Sequence, residues 1–333
     1  AFEKSMGEYD SIQKSKHWRK FDARKHLYTL ENLENFRNNK LSEGLDDRYS
    51  PGEQKEIFEN LKNELGEDYI LSNLTDKNVG NSPDCFKIGN LFVDGGQNFH
   101  IKWLHELETY VFSKKKINYI CEIGGGYGSL AQKIRAKHAC KYILIDLPEA
   151  NLLSSYYLSE HFPDLKFLLC DDIEAKSISK EDTRGYDFII IPPWYEIGED
   201  VKIDLFINTR SMMEMNLKVI KKYFDLIQTH TVVAGFFFNI NRYYKGSVGY
   251  PIELSKYPYD EKWQVISSQL SWKQNHIHQL ITQRKTGVGN IQEELIKIGN
   301  IGRIFMPRKA GLLEVAWQKF KDFLNRYRYQ YWI

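Results

Sequence analysis

The stretch ICEIGGGYGSLA (residues 120–131) joins a short apolar run to a helical pattern through a loop of four glycines. The mostly apolar run at 118–123 predicts a buried strand, and residues 129–138 have the spacing of a helix. Glycine is needed in such a loop because it adopts positive φ angles and lets a ligand approach the backbone closely. A strand, a glycine loop and a helix in this order indicate an α/β fold with a ligand at the loop.

The residues that follow this stretch alternate between strand and helix patterns. Strands are predicted at 141–146, 166–170, 187–191, 203–208 and 231–239, and helices at 149–161 and 211–228. Strands joined by helical crossovers form right-handed βαβ units, so we expect a doubly wound, mostly parallel sheet. Two further strands, at 263–272 and 277–284, are four residues apart, which favours a terminal antiparallel pair.

Three regions are expected along the chain. Residues 1–115 are charged and mostly helical, and the helical spacing at 53–65 and 99–112 predicts an N-terminal lid or lead-in region. We expect residues 116–290 to form the ligand-binding α/β domain and residues 291–333 to form a C-terminal helical extension.

Composition and charge exclude several classes of protein. Of the 333 residues, 42% are hydrophobic and 27% are charged, a balance typical of a globular protein with a sizeable core. The formal net charge of +2 lacks the basic excess that binding of duplex nucleic acid requires, so no nucleic-acid partner is expected. No apolar run approaches the roughly 20 residues of a membrane span. Residues 1–6 also lack the apolar core of a secretory signal.

The four cysteines, Cys85, Cys121, Cys140 and Cys170, show no C-x-x-C spacing. Three of them lie in or beside apolar strand-like runs, where buried free thiols are common. This pattern favours reduced thiols in a cytoplasmic protein over disulfides or a zinc site.

The spacing of the glycines distinguishes between two classes of cofactor. A dinucleotide fingerprint reads G-x-G-x-x-G, but the frames that begin at Gly124 and Gly126 both lack the third glycine. The arrangement Glu122-x-Gly124-x-Gly126-x-Gly128 instead resembles the first motif of class I S-adenosylmethionine-dependent methyltransferases. A dinucleotide site and a purely structural turn are the alternatives.

This resemblance implies S-adenosyl-L-methionine as cofactor and S-adenosyl-L-homocysteine as product, bound by a Rossmann-like fold. It implies that the loop residues Gly124, Gly125, Gly126 and Gly128 approach the cofactor. It also implies that the acidic residue, here Glu122, contacts the ammonium group of the methionine part.

Acidic residues at the next two strand ends extend the predicted cofactor site. Asp146 lies 24 residues after Glu122, at the end of the second strand, where a carboxylate can accept hydrogen bonds from both ribose hydroxyls. Leu147 follows it, and the sequence Leu-Pro-Glu looks like a helix start, so a helix cap is the alternative for Asp146. Asp171 and Asp172 end the third strand, where this fold usually has an adenine contact. One of the two is expected to make that contact, and the other is expected to cap a helix.

Three further stretches carry a closer resemblance. The segments ILIDLPE (143–149), INTRSMMEM (207–215) and FFFNINRY (236–243) look like those of bacterial sugar O-methyltransferases associated with surface polysaccharides. The resemblance covers about residues 95–285. It implies transfer of a methyl group to a sugar hydroxyl, on a nucleotide sugar or on an assembled glycan. A phenol or amine acceptor, or a non-catalytic scaffold in glycan assembly, are the competing interpretations.

A sugar hydroxyl has a high pKa, so methylation needs a general base or a metal to help remove its proton. Asn208, Ser211 and Glu214 follow a strand end at a spacing of three, which predicts that they share one face of the helix start. Glu214 is the first candidate base, with a capping role toward Ser211 as the alternative. His230 is a further catalytic candidate, although its place before an apolar strand favours a strand-edge histidine.

Other polar and aromatic residues near strand ends are candidates for acceptor binding. Trp194 and Tyr195 could stack against a sugar, with a packed aromatic turn as the alternative. Asn241 and Arg242 end another strand, and the guanidinium could hold a phosphate or form a surface salt bridge. No metal is predicted, because no carboxylate near His276 and His278 completes a ligand set.

The last stretch, residues 326–333, alternates basic and aromatic residues, for which packing on the domain is favoured over a membrane contact.

Overall fold

The computed structural model describes residues 28–45 and 49–307. The helical content predicted for residues 1–27 lies outside this range. The same is true of the end of the helical extension and of the aromatic stretch at 326–333.

The helices and strands follow the predicted order. We number the α-helices α1 Leu30–Glu34, α2 Pro51–Leu65, α3 Glu67–Leu71, α4 Gly95–Leu107, α5 Ser129–Lys137, α6 Pro148–His161, α7 Leu217–His230 and α8 Ile291–Gly302. The main-sheet strands are β1 Tyr119–Ile123, β2 Lys141–Ile145, β3 Phe167–Leu169, β4 Phe188–Ile191, β5 Ile203–Thr209, β6 Thr231–Arg242, β7 Trp263–Ser271 and β8 Gln274–Arg284. A π-helical turn at Glu108–Phe112 continues α4.

The eight main strands form one sheet in the order β7-β8-β6-β5-β1-β2-β4-β3. The strands from β6 to β3 are all parallel, whereas β8 runs antiparallel to both β6 and β7. The doubly wound, mostly parallel sheet with a terminal antiparallel pair is therefore confirmed. The strand β4 lies between β2 and β3, so β3 is the edge strand and its end lies two strand positions from β2.

Helices cover both faces of this sheet, as the hydrophobic pattern of each strand requires. On one face α4, α5 and α6 pack on the sheet through side chains such as Leu104, Ile134 and Leu158. On the other face α7 and α8 do the same through side chains such as Phe224 and Leu295. The carboxyl ends of the parallel strands stay open between these two layers, where ligands bind in folds of this type.

The region before β1 combines α1–α4 with a hairpin, Phe86–Ile88 and Leu91–Val93, which the turn-rich sequence did not predict. A buried ion pair fixes α4 within it, because the Arg37 guanidinium lies 2.5 Å from a carboxylate oxygen of Asp94. Asp94 is also the N-cap of α4 and accepts a hydrogen bond from the Gln97 N–H. Burial alone would raise the pKa of Asp94, but the Arg37 charge and the Gln97 N–H bring it below its ordinary value.

All four cysteines are free thiols, and three of them are buried, in agreement with the sequence. Within residues 28–45 and 49–307, no helix is both long and apolar enough to cross a membrane.

Removing the carboxylate of this ion pair should destabilise the protein strongly. We expect Asp94→Ala to lower the free energy of unfolding by about 3–5 kcal/mol, because the buried Arg37 charge is left uncompensated and α4 loses its cap. Asp76→Ala, at an exposed aspartate, is the control and should change it by less than about 0.5 kcal/mol. Urea unfolding measures both, and equal midpoints would contradict the role given to this pair.

Candidate active site

A cavity of about 190 Å³ lies at the carboxyl ends of β1, β2 and β5, between the sheet and the start of α4. Its wall combines the glycine loop after β1, the end of β2, the turn after β5 and aromatic side chains. The lining residues from the predicted site are Gly124, Gly125, Gly126, Asp146, Leu147, Ser211 and Glu214.

The glycine loop needs its glycines for different reasons. Gly124, Gly126 and Gly128 all have positive φ angles, which favour glycine. A Cβ at Gly124 would lie 1.9 Å from the Ser211 oxygen, and one at Gly125 would lie 2.5 Å from a Leu144 methyl carbon. A Cβ at Gly126 would instead enter open space, with its nearest neighbour, Leu45, 4.0 Å away. Gly126 therefore presents bare backbone to the cavity, whereas Gly124 and Gly125 allow close packing.

Asp146 borders the cavity directly after β2. Its carboxylate accepts hydrogen bonds from the Gly126 N–H at 2.8 Å and from the Leu147 N–H at 2.7 Å. The N-cap of α6 is Leu147, without a side-chain cap, so the capping role considered for Asp146 is not the one it has. Burial, helped by the charges of Glu149 and Glu214, outweighs these two hydrogen bonds and raises the pKa of Asp146 to about 7.

Glu122 lies beneath the glycine loop rather than in the cavity wall. It is 1% exposed, and its carboxylate accepts a hydrogen bond of 2.7 Å from the Tyr142 hydroxyl. Burial and, to a smaller extent, the Asp146 charge outweigh the hydrogen bond from Tyr142 and raise the pKa of Glu122 to about 7. The carboxylate lies below the loop, 3.2 Å from where a Cβ of Gly125 would lie, and does not line the cavity. Its contact with a cofactor ammonium stays a prediction.

The turn after β5 brings Ser211 and Glu214 to the cavity, but not on a helix face. Residues Met212–Glu214 form a single 3-10 turn, and α7 begins only after its N-cap, Asn216. Ser211 makes no side-chain cap, which excludes the capping role for this segment. The Glu214 carboxylate instead forms a mostly buried ion pair with Lys245.

Asn208 and Asn241 are buried and hold this turn from behind. Asn208 donates to the carbonyl oxygen of Ile123 at 2.7 Å and accepts from the Met212 N–H at 3.1 Å. Asn241 donates to Asn208 at 2.8 Å and accepts from the Met213 N–H at 3.0 Å. The catalytic role predicted for Asn208 and the acceptor contact predicted for Asn241 are therefore corrected: both are positioning residues.

Other predicted site residues lie away from the cavity because of the strand order. Asp171 and Asp172 are exposed at the end of the edge strand β3, since β4 occupies the position next to β2. Trp194 packs on the α7 face of the core, and Tyr195 is buried with its hydroxyl donating to the Cys170 carbonyl oxygen. Of the described residues 192–195, only Pro193 lines the cavity.

His230 lies at the opposite end of the sheet. It ends α7 immediately before the amino end of β6, and its ring nitrogen Nδ1 donates to the Val201 carbonyl oxygen at 2.9 Å. It is thus a structural histidine, and its catalytic candidacy is withdrawn. His278 is enclosed between the Tyr243 and Ser268 hydroxyls, and no group of three or more metal-binding side chains occurs among the described residues.

Sequence reasoning missed several lining residues. His100 on α4 reaches the cavity, where its Nδ1 lies 2.8 Å from the Ser129 hydroxyl. Arg210 lines the cavity, whereas Arg242, the arginine that was predicted to bind the acceptor, does not. The helical periodicity around His100 indicated only α4 itself, and nothing in the local sequence indicated that α4 returns to the sheet edge. Further lining side chains are Leu45, Phe99, Trp103, Tyr127, Met213, Met215 and Tyr223.

The cavity lining combines two kinds of group. The bare backbone of the glycine loop, the Asp146 carboxylate and the apolar side chains of Leu147 and Pro193 suit a nucleoside. The Glu214 carboxylate and the His100 ring are acid–base groups that can act on a bound hydroxyl, and Arg210 lines the same cavity.

Comparisons with solved structures return methyltransferases. The chain is similar to the N-methyltransferase NodS from Bradyrhizobium japonicum WM9 in complex with S-adenosyl-l-homocysteine (10% identity, TM-score 0.39, 57% of this chain and 88% of that chain covered). It is also similar to the mitomycin 7-O-methyltransferase MmcR (13% identity, TM-score 0.36, 56% of this chain and 57% of that chain covered). A third similar structure is a putative type 11 methyltransferase from Sulfolobus solfataricus (16% identity, TM-score 0.35, 55% of this chain and 93% of that chain covered). No protein-family model and no curated protein sequence matches the chain.

The buried Glu122 should make stability fall as pH rises. Its folded-state pKa of about 7 exceeds the unfolded value near 4.5, so the stabilisation present at low pH is lost between these two values. We expect Glu122→Gln to flatten this slope and to raise the free energy of unfolding at pH 8 by about 1–3 kcal/mol relative to the parent. Chemical unfolding of the parent and the variant from pH 4 to pH 8 measures this pH dependence of the free energy of unfolding. Glu199→Gln, at an exposed glutamate, should keep the parent slope, and the same slope in both variants would show that Glu122 titrates normally.

Proposed function

We propose that the chain is an S-adenosyl-L-methionine-dependent O-methyltransferase that acts on a sugar hydroxyl, carried by a nucleotide sugar or a surface-polysaccharide glycan. One observation carries the proposal. A glycine loop with open space at Gly126 faces an acidic strand end in the same cavity as a carboxylate that can serve as base.

The proposed cofactor contacts use residues on the β1–β2 side of the cavity. The Gly126 backbone would lie against the cofactor, and the Asp146 carboxylate would accept hydrogen bonds from the ribose hydroxyls. Leu147 and Pro193 would enclose the adenine, since both are apolar and line this side. When bound, S-adenosyl-L-methionine supplies an electrophilic methyl group on a sulfonium.

The acceptor oxygen must lie in line with that methyl group and about 3 Å from it. Glu214 is the proposed general base for the hydroxyl proton. Its ion pair with Lys245 fixes the direction of the carboxylate. His100 is the second group in the cavity that can accept a proton, with its ring held by Ser129.

Aromatic side chains in the cavity lining favour a sugar acceptor. Phe99 and Trp103 of α4 and Tyr223 of α7 all line the cavity, where the C–H groups of a pyranose could pack against them. These side chains would also fit a phenol, which is the second candidate acceptor. We propose the cytoplasm as compartment, consistent with four free cysteine thiols.

A branched side chain at Gly126 should abolish cofactor binding. Gly126→Val would fill the open space in the cavity and strain a φ angle of +59°. Gly89→Val is a matched control, because Gly89 has a φ angle of +61° and equally open space in the 86–93 hairpin. We expect S-adenosylhomocysteine to raise the melting temperature of the parent and of Gly89→Val but not of Gly126→Val. A normal shift in the Gly126 variant would disprove the assignment of the loop.

Substitution of the base should lower turnover without loss of cofactor. We expect Glu214→Gln to lower turnover about 10²–10⁴-fold while S-adenosylhomocysteine affinity stays within a few-fold, and activity should partly recover at high pH. His100→Gln should lower turnover less than about tenfold. The assay uses an acceptor found by screening nucleotide sugars, glycans and phenols. If His100→Gln lowered turnover more than Glu214→Gln did, His100 would be the base.

A further inference from the structure

Among the described residues that line the cavity, Arg210 is the one with a permanent positive charge. The charged groups that share the wall with it are the carboxylates of Asp146 and Glu214 and the titratable ring of His100. A guanidinium holds carboxylates and phosphates in a two-pronged geometry. Arg210 is therefore the lining side chain best suited to an anionic ligand.

The backbone holds Arg210 in an unusual conformation. Its φ angle is +62°, a region that glycine enters at no steric cost and that a long side chain does not favour. The Arg210 N–H donates to the Ile240 carbonyl oxygen at 2.6 Å, so β6 fixes the turn. Such strain persists where the surroundings enforce it, and it concentrates at functional sites.

Two more basic residues lie beside Arg210. Arg242 ends β6 opposite Ile277 of β8, and the Tyr243 N–H donates to the carbonyl oxygen of the preceding residue on β8, His276, at 3.2 Å. Burial lowers the pKa of His276, and the charges of Arg242 and Arg210 lower it further. Both guanidinium groups therefore lie within electrostatic range of this imidazole.

The position of this basic cluster (Arg210, Arg242 and His276) separates it from the proposed nucleoside contacts. In the sheet order β8-β6-β5-β1-β2, Arg210 follows β5, Arg242 is the last residue of β6 and His276 lies near the start of β8, whereas Asp146 follows β2. Neighbouring strands are about 4.8 Å apart, so the cluster extends away from the cofactor side. The amino-acid end of the cofactor is a zwitterion, which does not require two guanidinium groups.

We propose that the acceptor carries an anionic group, a phosphate or a carboxylate, and that Arg210 binds this group with Arg242 and His276 beside it. The inference rests on the proposed function and narrows its substrate class. A nucleotide-linked sugar supplies the anion as a diphosphate, and a uronic acid supplies it as a carboxylate.

Calorimetric titration with two probes tests the proposal. Inorganic pyrophosphate and glucuronate are titrated into the parent, with and without S-adenosylhomocysteine. We expect saturable binding of at least one of them, and the one that binds identifies the source of the anion. Arg210→Gly removes the charge and relieves the backbone strain, so it should fold, and it should weaken that anion about tenfold or more. Arg242→Gln, a second variant outside the cavity wall, should weaken it about threefold.

A matched control comes from the β7–β8 turn. Lys273 is exposed and has a φ angle of +57°, so Lys273→Gly also replaces a cationic residue in a left-handed conformation, and anion binding should stay within about twofold. Failure of both anions to bind the parent, or equal binding by Arg210→Gly, would overturn the proposal.

A separate pair of ligands distinguishes the acceptor from the cofactor. If Arg210→Gly weakened S-adenosylhomocysteine about tenfold but left 5′-methylthioadenosine unchanged, Arg210 would hold the cofactor carboxylate and the proposal would be wrong. If the parent bound no S-adenosylhomocysteine at all, the proposed function would fail, and the anion titration without it would still decide the subsite.

Discussion

Two buried amide side chains connect the strand ends on which the cavity depends. Asn208 bonds to the last residue of β1 and to the turn after β5, and Asn241 of β6 bonds to Asn208 and to the same turn. A second hydrogen of the Asn241 amide bonds to Asn239, whose own amide bonds to the Tyr259 hydroxyl. Each buried amide left without its partner would cost about 1–3 kcal/mol, so the network fixes three strands and one turn as a unit.

The chemistry of the cavity follows from this placement. Because the turn after β5 is held at both asparagines, Ser211 sits against Gly124 so closely that no side chain fits between them. The same turn directs Glu214 toward Lys245 and keeps Arg210 in its left-handed conformation. Glu214 and Arg210, to which we assign proton removal and anion binding, therefore share one segment, while Asp146 follows β2 on the other side of β1.

The sequence predicted what is local and missed what depends on tertiary arrangement. The strands, the glycine loop and Asp146 were predicted because apolar runs and turn residues report directly on backbone conformation. Asp171 and Asp172, predicted to include the adenine contact, lie two strand positions from β2 because β4 pairs between β2 and β3, an arrangement that no spacing along the chain reveals. His100 was missed because α4 reaches the cavity only through packing.

The roles of the asparagines were misassigned for a related reason. A polar residue at a strand end is equally consistent with a ligand contact and with a structural hydrogen bond. The alternation of Asn239 and Asn241 in an otherwise apolar strand was the available signal, since alternate residues point to one face of the sheet. Side chains of one type on one face, beside Asn208 on the next strand, favour a shared network over a binding site.

We propose that Asp146 and the glycine loop hold the nucleoside of S-adenosylmethionine. Calorimetric titration of S-adenosylhomocysteine into the parent and into Asp146→Ala tests this assignment. We expect saturable one-to-one binding to the parent and a loss of about 1–3 kcal/mol in the variant, because the ribose hydroxyls lose a charged acceptor. Equal affinity in a variant whose melting temperature has fallen would show that Asp146 supports the loop and does not bind the ribose.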